Sequence, residues 1–276
     1  MPQHSKSWNL DGPILLVGAG KMGGAMLAGW LKAGLARNQI LIQDPSLEAA
    51  LICRDLGVAP KAEQHPDVAP VVLLMAVKPQ VMGDVFPTVA RLAGPKTVTL
   101  SIAAGKTLAS FEQHLPPNAA VVRAMPNTPA SIGRGMTVLC ANAHVSAAQR
   151  ALCEQLMSAV GEVGWIEEER MMDAVTAVSG SGPAYVFLLA EAMAAAGVEA
   201  GLDPALAMQL AQTTIAGSGE LMRQSDLDAA ALRHNVTSPG GTTEAALKVL
   251  MAPDGLTPLM ERAVAAAVAR GKDLSK

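Results

Sequence analysis

A four-residue apolar run, Ile14-Leu15-Leu16-Val17, passes straight into Gly18-Ala19-Gly20-Lys21-Met22-Gly23 and then into a helical pattern. Few features constrain a fold as tightly, because each glycine has its own steric task. Gly18 permits a tight turn out of a strand, Gly20 lets the backbone approach a pyrophosphate, and Gly23 lets the next helix close on the strand. The helix start then offers unbonded N–H groups to the anion. Strand, Gly-x-Gly-x-x-Gly turn and helix in this order predict dinucleotide binding, with Ala19, Lys21 and Met22 completing the contact loop. A glycine-rich structural turn is the alternative.

The second predicted strand, 40–43, ends in Gln43-Asp44-Pro45-Ser46, which puts a carboxylate 21 residues after Gly23. Such an acid accepts hydrogen bonds from the adenosine ribose hydroxyls and repels a 2′-phosphate, which favours NADH over NADPH. Asp-Pro-Ser-x-Glu is equally a helix start, so a capping role for Asp44 stands beside the coenzyme role. The third strand, 71–77, leads into Lys78-Pro79 at the carboxyl edge of the sheet, where ligands bind. Ala76, Val77, Lys78 and Pro79 are therefore candidate coenzyme contacts, although Lys78 also reads as a solvated loop residue. Segments 101–105, with Ala103, and 123–130, with Asn127, sit at further strand ends. Their small residues and prolines suit a close-fitting wall, and Asn127 brings a donor and an acceptor together. Taken alone, both are ordinary αβ turns.

Further β-branched runs at 98–102, 120–124, 137–141 and 162–166 alternate with helical spacing. Several are continuously apolar, as strands are when helices cover both faces of a parallel sheet. After Glu167-Glu168-Glu169 the strand signal stops. Ala, Met and Leu then recur at helical spacing, punctuated by Pro204, Pro239, Pro253 and Pro258. The expected fold is α/β: a Rossmann-type, mostly parallel sheet domain at 1–167, followed by an all-helical domain at 168–276.

Segments 184–198 and 263–269 are apolar around most of their circumference, so they need cover on several sides. With only 16% charged residues against 50% hydrophobic, the surplus apolar surface points to self-association, a monomer being the alternative. A net charge of −3 and only three Trp, three Phe and one Tyr leave little to neutralise phosphates or stack bases, which argues against nucleic acid. Cys53, Cys140 and Cys153 show no metal spacing, and His4, His65, His114, His144 and His234 form no ligand set, so no metal is expected. Reduced thiols fit a cytoplasmic location. Residues 1–11 read as a short disordered leader, and no membrane is expected. The uncharged stretch 174–190 is interrupted by Ser179-Gly180-Ser181-Gly182-Pro183, falls short of a bilayer core and reads as a buried helix. Those glycines and Pro183 inside an apolar helix imply a kink or a close approach.

The last motif, Asn235-Val236-Thr237-Ser238-Pro239-Gly240-Gly241-Thr242-Thr243-Glu244, joins a flexible turn to a helix start. N–H groups at Gly240, Gly241 and Thr242 suit a carboxylate, an ordinary capped helix being the alternative. With Ala76-Val77-Lys78-Pro79, 101–105, 123–130 and 178–185 in this order, the chain resembles the pyrroline-5-carboxylate reductases over nearly its whole length. The resemblance implies reduction of the C=N bond of 1-pyrroline-5-carboxylate to L-proline, the last step of proline biosynthesis, with NADPH or NADH. It places substrate at Asn235, Ser238, Gly240, Gly241 and Thr242, with Thr243 near the ring nitrogen as the polarising donor. It further implies dimers through C-terminal helices, extending to a ring of five dimers. Asp44 departs from the hydroxyl, amide or basic groups of NADP-preferring members and leans the coenzyme towards NADH. A 3-hydroxyacid dehydrogenase relative would need a lysine on a long helix in the second half. Lys248, the only lysine between Lys106 and Lys272, instead follows the Ser-Pro-Gly-Gly-Thr-Thr turn. A non-enzymatic dinucleotide sensor would bind coenzyme without turnover.

Overall fold

A computed structural model of the chain describes residue 8 and residues 10–61 and 69–274. Seven strands form one sheet: β1 Ile14–Val17, β2 Ile40–Gln43, β3 Val72–Met75, β4 Val98–Ser101, β5 Ala120–Met125, β6 Gly135–Ala141 and β7 Gly161–Trp165. Their spatial order is β2-β1-β3-β4-β5-β6-β7. Every neighbouring pair is parallel except β5 and β6, so the mostly parallel sheet read from the sequence is correct.

Helices α1 Lys21–Lys32, α2 Leu47–Asp55, α3 Met82–Ala90, α4 Leu108–Glu112, α5 Ala147–Ser158 and α6 Met172–Val175 accompany the strands. The two-residue period of a strand decides which helix packs where. Ile14 and Leu16 face Met26, Leu27 and Trp30 of α1, Cys53 of α2 and Leu156 of α5. Leu15 and Val17 face the other way, towards Phe86 of α3, Phe111 of α4 and Met172 of α6. Both faces are thereby covered, which is why β1, β3 and β4 are buried along their whole length. The Trp30 indole N–H donates to the Leu156 carbonyl at 2.9 Å and ties α1 to α5.

The expected leader lies mostly outside the described residues. Trp8 and Leu10 nonetheless pack on the first core, and the Trp8 indole donates to Ala33 O at 2.9 Å. That part of the leader is thus anchored rather than disordered.

The remaining helices are α7 Gly182–Glu199, α8 Pro204–Gln224, α9 Ala229–Asn235, α10 Thr242–Leu250 and α11 Leu256–Leu274. Two compact units result, one running from the N-terminus to Gly180 and taking in 268–274, the other Ser181–Ala267. Within the second unit α7 and α8 form a hairpin whose contact is built from Ala194, Ala207, Ala211 and Met208. Asp203 caps α8 by accepting from the N–H groups of Ala205 and Leu206.

The stretch 174–190 corrects the sequence reading on its length and its burial. The expected interruption is present, as a π-turn at Thr176–Gly180 followed by a bend at Ser181, yet the helical run Glu169–Glu199 spans 31 residues. It is the one helix among the described residues long and apolar enough to cross a bilayer by length and composition. Nor is it buried within the chain, since Phe187 and Leu188 are 62% and 63% exposed. The expected close approach is present, because a Cβ on Gly180 would lie 2.6 Å from Met125 Cε.

Candidate active site

At the carboxyl ends of β1, β2 and β3 the chain leaves β1 for β2 on one side and β3 on the other. This reversal of strand order opens a crevice. The cleft there measures about 580 Å³ and is lined by Gly18, Gly20, Asp44, Ala76, Val77 and Lys78 among the predicted residues.

The three loop glycines differ as their tasks require. Gly18 sits at φ +95°, and a Cβ there would lie 2.8 Å from the Ala76 carbonyl. At Gly23 a Cβ would stand 2.1 Å from Gly18 O and 3.3 Å from Ala76 Cβ, so only glycine lets α1 seat on the strand turn. Gly20 is the opposite case, with no heavy atom within 4 Å of a Cβ position. That open backbone, at the uncapped start of α1, fits a pyrophosphate.

Asp44 holds this loop. Its Oδ2 accepts from the Ala19 N–H at 2.8 Å and its Oδ1 from the Ser46 N–H at 2.8 Å. The capping alternative is overturned: Ser46 is the N-cap of α2, and its Oγ accepts from Ala49 N.

Other expected contacts stand elsewhere. Lys21, Met22 and Gly23 form the first turn of α1, and Pro79 starts a 3₁₀ turn. Ala103 is buried, its N–H on Ser101 Oγ at 3.2 Å. The Asn127 amide joins two segments: Oδ1 accepts from Met136 N at 2.9 Å, while Nδ2 donates to Ser179 O and Oγ at 3.2 and 3.3 Å. It anchors the π-turn to the end of β5.

The sequence reading missed the opposite wall. Val81, Val85 and Val89 of the β3–α3 segment line the cleft, as do Glu48 and Arg91. The spacing of the three valines was the available signal. Also missed was the pair formed by Arg123, 4% exposed, and Glu169 at 3.0 Å. Glu169 Oε1 additionally accepts from the Leu108 N–H at the start of α4.

The second cluster lies in the second unit. Asn235 ends α9, and Gly240, at φ +73°, turns the chain into α10. Gly241 N donates to Ser238 O at 3.0 Å, and Gly240 N donates to Glu244 Oε2 at 2.8 Å. Both glycine N–H groups therefore shape the turn. Among the described residues the side-chain hydroxyls of Ser238, Thr242 and Thr243 meet no acceptor within the chain, and Thr242 and Thr243 open α10 with their backbone N–H groups unbonded. No group of three or more His, Cys, Asp or Glu suited to a metal occurs among the described residues.

These two clusters correspond to two family models. One, described as NADP oxidoreductase, coenzyme F420-dependent, matches residues 13–105; the other, pyrroline-5-carboxylate reductase dimerisation, matches 169–274. The pyrroline-5-carboxylate reductase of Pseudomonas aeruginosa is 42% identical over 265 residues, covering 95% of this chain and 97% of that one. The chain belongs to the pyrroline-5-carboxylate reductase family. A solved reductase from Coxiella burnetii superposes with a TM-score of 0.90 at 35% identity, covering 96% of this chain and 99% of that one. The Plasmodium falciparum reductase, solved with NADP bound, gives 0.77 at 27% identity over 98% and 100%. The chain is thus an oxidoreductase with a nicotinamide-coenzyme domain and a dimerisation domain. Pyrroline-5-carboxylate reductase is its function.

Proposed function

We propose that this reductase converts 1-pyrroline-5-carboxylate to L-proline with the coenzyme seated on Gly18–Gly23 and the substrate at the start of α10. The observation that carries the coenzyme half is the open backbone at Gly20 between two glycines that are sterically locked. When bound, the reduced nicotinamide supplies the hydride that adds to C5 of the imine.

The chain's own residues supply position and polarity. Thr242 and Thr243 offer helix-start N–H groups to the substrate carboxylate, with Ser238, Gly240, Gly241 and Asn235 around it. The Thr243 hydroxyl donates to the ring nitrogen. A threonine is a weak acid, so it polarises a neutral imine rather than protonating it; where the imine arrives already protonated, the hydroxyl oxygen instead accepts from its N–H, and no stronger group is needed. Rate then comes mainly from holding the reacting carbons together.

Ala76, Val77, Lys78 and Pro79 complete the coenzyme contacts, with Ala103 and Asn127 fixing the adjoining walls. Asp44 retains lone pairs for ribose hydroxyls beyond its two backbone bonds, and its charge opposes a 2′-phosphate. This supports NADH at least as well as NADPH. The functional division falls at 167/168, where the strand signal stops just before the dimerisation match begins at 169. Exposed Phe187, Leu188 and Val249 support a dimer as the resting form, and the family resemblance implies a ring of five such dimers. That assembly would cover the apolar run in protein rather than membrane. Three free buried cysteines accord with a cytoplasmic setting.

Incubation with 1-pyrroline-5-carboxylate and reduced coenzyme should yield L-proline in step with coenzyme oxidation. Oxidation without proline would refute the substrate assignment.

A further inference from the structure

Glu48 lines the coenzyme cleft beside Asp44, one residue into the first turn of α2. The two carboxylates differ in what already holds them. Asp44 has both oxygens on backbone N–H groups, Ala19 and Ser46, each at 2.8 Å. Glu48 is exposed, and among the described residues no cation lies within ion-pair distance of it. The cleft's cations, Lys78 and Arg91, come from the opposite β3–α3 side, together with Asp84.

The start of α2 would ordinarily attract a phosphate, because its first N–H groups and helix dipole favour negative charge. Ser46 is its N-cap, so a 2′-phosphate on a ribose held at Asp44 would come up against this turn. A carboxylate within that same turn, unpaired among the described residues, opposes a dianion.

We infer that Glu48 is a specificity-determining residue that rejects the 2′-phosphate, while Asp44 is committed chiefly to holding the glycine loop. The inference rests on the coenzyme placement proposed above and divides its selectivity between two residues. Removing the Glu48 charge relieves repulsion at one end of the coenzyme. Removing Asp44 loosens the Ala19 turn that every nicotinamide dinucleotide uses, whatever its 2′ group.

Calorimetric Kd values for NAD⁺ and NADP⁺, with the Tm of the coenzyme-free protein, test this without turnover. Glu48→Gln should shift the Kd ratio about tenfold towards NADP⁺ and lower Tm only slightly, through the lost interaction with the helix dipole. Added KCl should produce part of the same shift in the unsubstituted protein, since salt screens exposed charges. Asp44→Asn should raise both Kd values and lower Tm, moving their ratio less than Glu48→Gln does. An unchanged ratio in Glu48→Gln overturns the inference, as does an Asp44→Asn protein that gains NADP⁺ affinity while keeping NAD⁺ affinity. Failure of both coenzymes to bind the unsubstituted protein would instead overturn the underlying placement.

Discussion

Gly20 and Gly23 lie three positions apart in one loop, yet alanine at each should fail in a different way. Gly20 has φ −66° and nothing within 4 Å of its Cβ position, so Gly20→Ala introduces no clash in the coenzyme-free protein. Alanine is a poorer N-cap, at a cost of about 0.5–1 kcal/mol. Its stiffer unfolded chain offsets roughly 0.4–1 kcal/mol of that. Net stability should therefore stay within about 0.5 kcal/mol of the parent. The methyl would occupy the backbone face left for the pyrophosphate, so NADH affinity should fall at least tenfold, or about 1.4 kcal/mol. At Gly23 the added carbon would meet Gly18 O at 2.1 Å, and α1 must move. Overpacking of this kind costs about 1–3 kcal/mol, which at roughly 2–4 °C per kcal/mol is several degrees of Tm. Differential scanning fluorimetry without coenzyme and calorimetric titration with NADH separate the two effects. A Gly20→Ala protein that binds NADH normally, or melts as low as Gly23→Ala, would refute the reasoning.

Other outcomes follow from the same geometry. Thr243→Ala should lower kcat/KM for 1-pyrroline-5-carboxylate by about tenfold or more, in line with a lost polarising donor; an unchanged value would remove that role. Leu188→Glu, at a 63% exposed apolar position of α7, should give a lighter species in sedimentation velocity than the unsubstituted protein, and an unaltered species would place the interface elsewhere. Burial raises the thiol pKa of Cys53 and Cys140 and pushes Cys153 from 9.0 up to about 12. Native protein at neutral pH should accordingly resist thiol reagents until unfolded. The unfolded thiols ionise first as pH rises past 9.0, so stability is full below that value and falls above it. Chemical denaturation from pH 8 to 10.5 should show a slope approaching roughly 1.4 kcal/mol per pH unit from Cys153 alone, steepened by Cys53 and Cys140.

The sheet was legible because continuous β-branched runs leave few alternatives, and all seven strands stand within a few residues of their expected places. β6 begins at Gly135, two residues early, because it pairs with Gly161. A Cβ on Gly161 would fall 1.9 Å from Gly135 O, and such a backbone contact carries no hydrophobic signal. The glycine loop was readable residue by residue since its constraints are local. What escaped were pairings between distant segments: Asp44 with Ala19, Asn127 with Ser179, Arg123 with Glu169 and Trp8 with Ala33. Each joins positions 25 or more apart, where local spacing says nothing. A kink or close approach at Gly180 and Gly182 was expected, but that Gly180 of the π-turn at Thr176–Gly180 approaches Met125 is not contained in the helix sequence. Apolar residues around α7 were visible, and the cover they were expected to need is not supplied within one chain, where Phe187 and Leu188 remain exposed.

The central claim is most directly tested by the initial rate at which purified protein oxidises NADH, and separately NADPH, when 1-pyrroline-5-carboxylate is added. The account predicts saturable oxidation that depends on the imine, with kcat/KM for NADH at least equal to that for NADPH. A preference for NADPH of about a hundredfold would contradict the reading of the acidic adenosine end. No oxidation with either coenzyme, although both bind, would contradict the account itself.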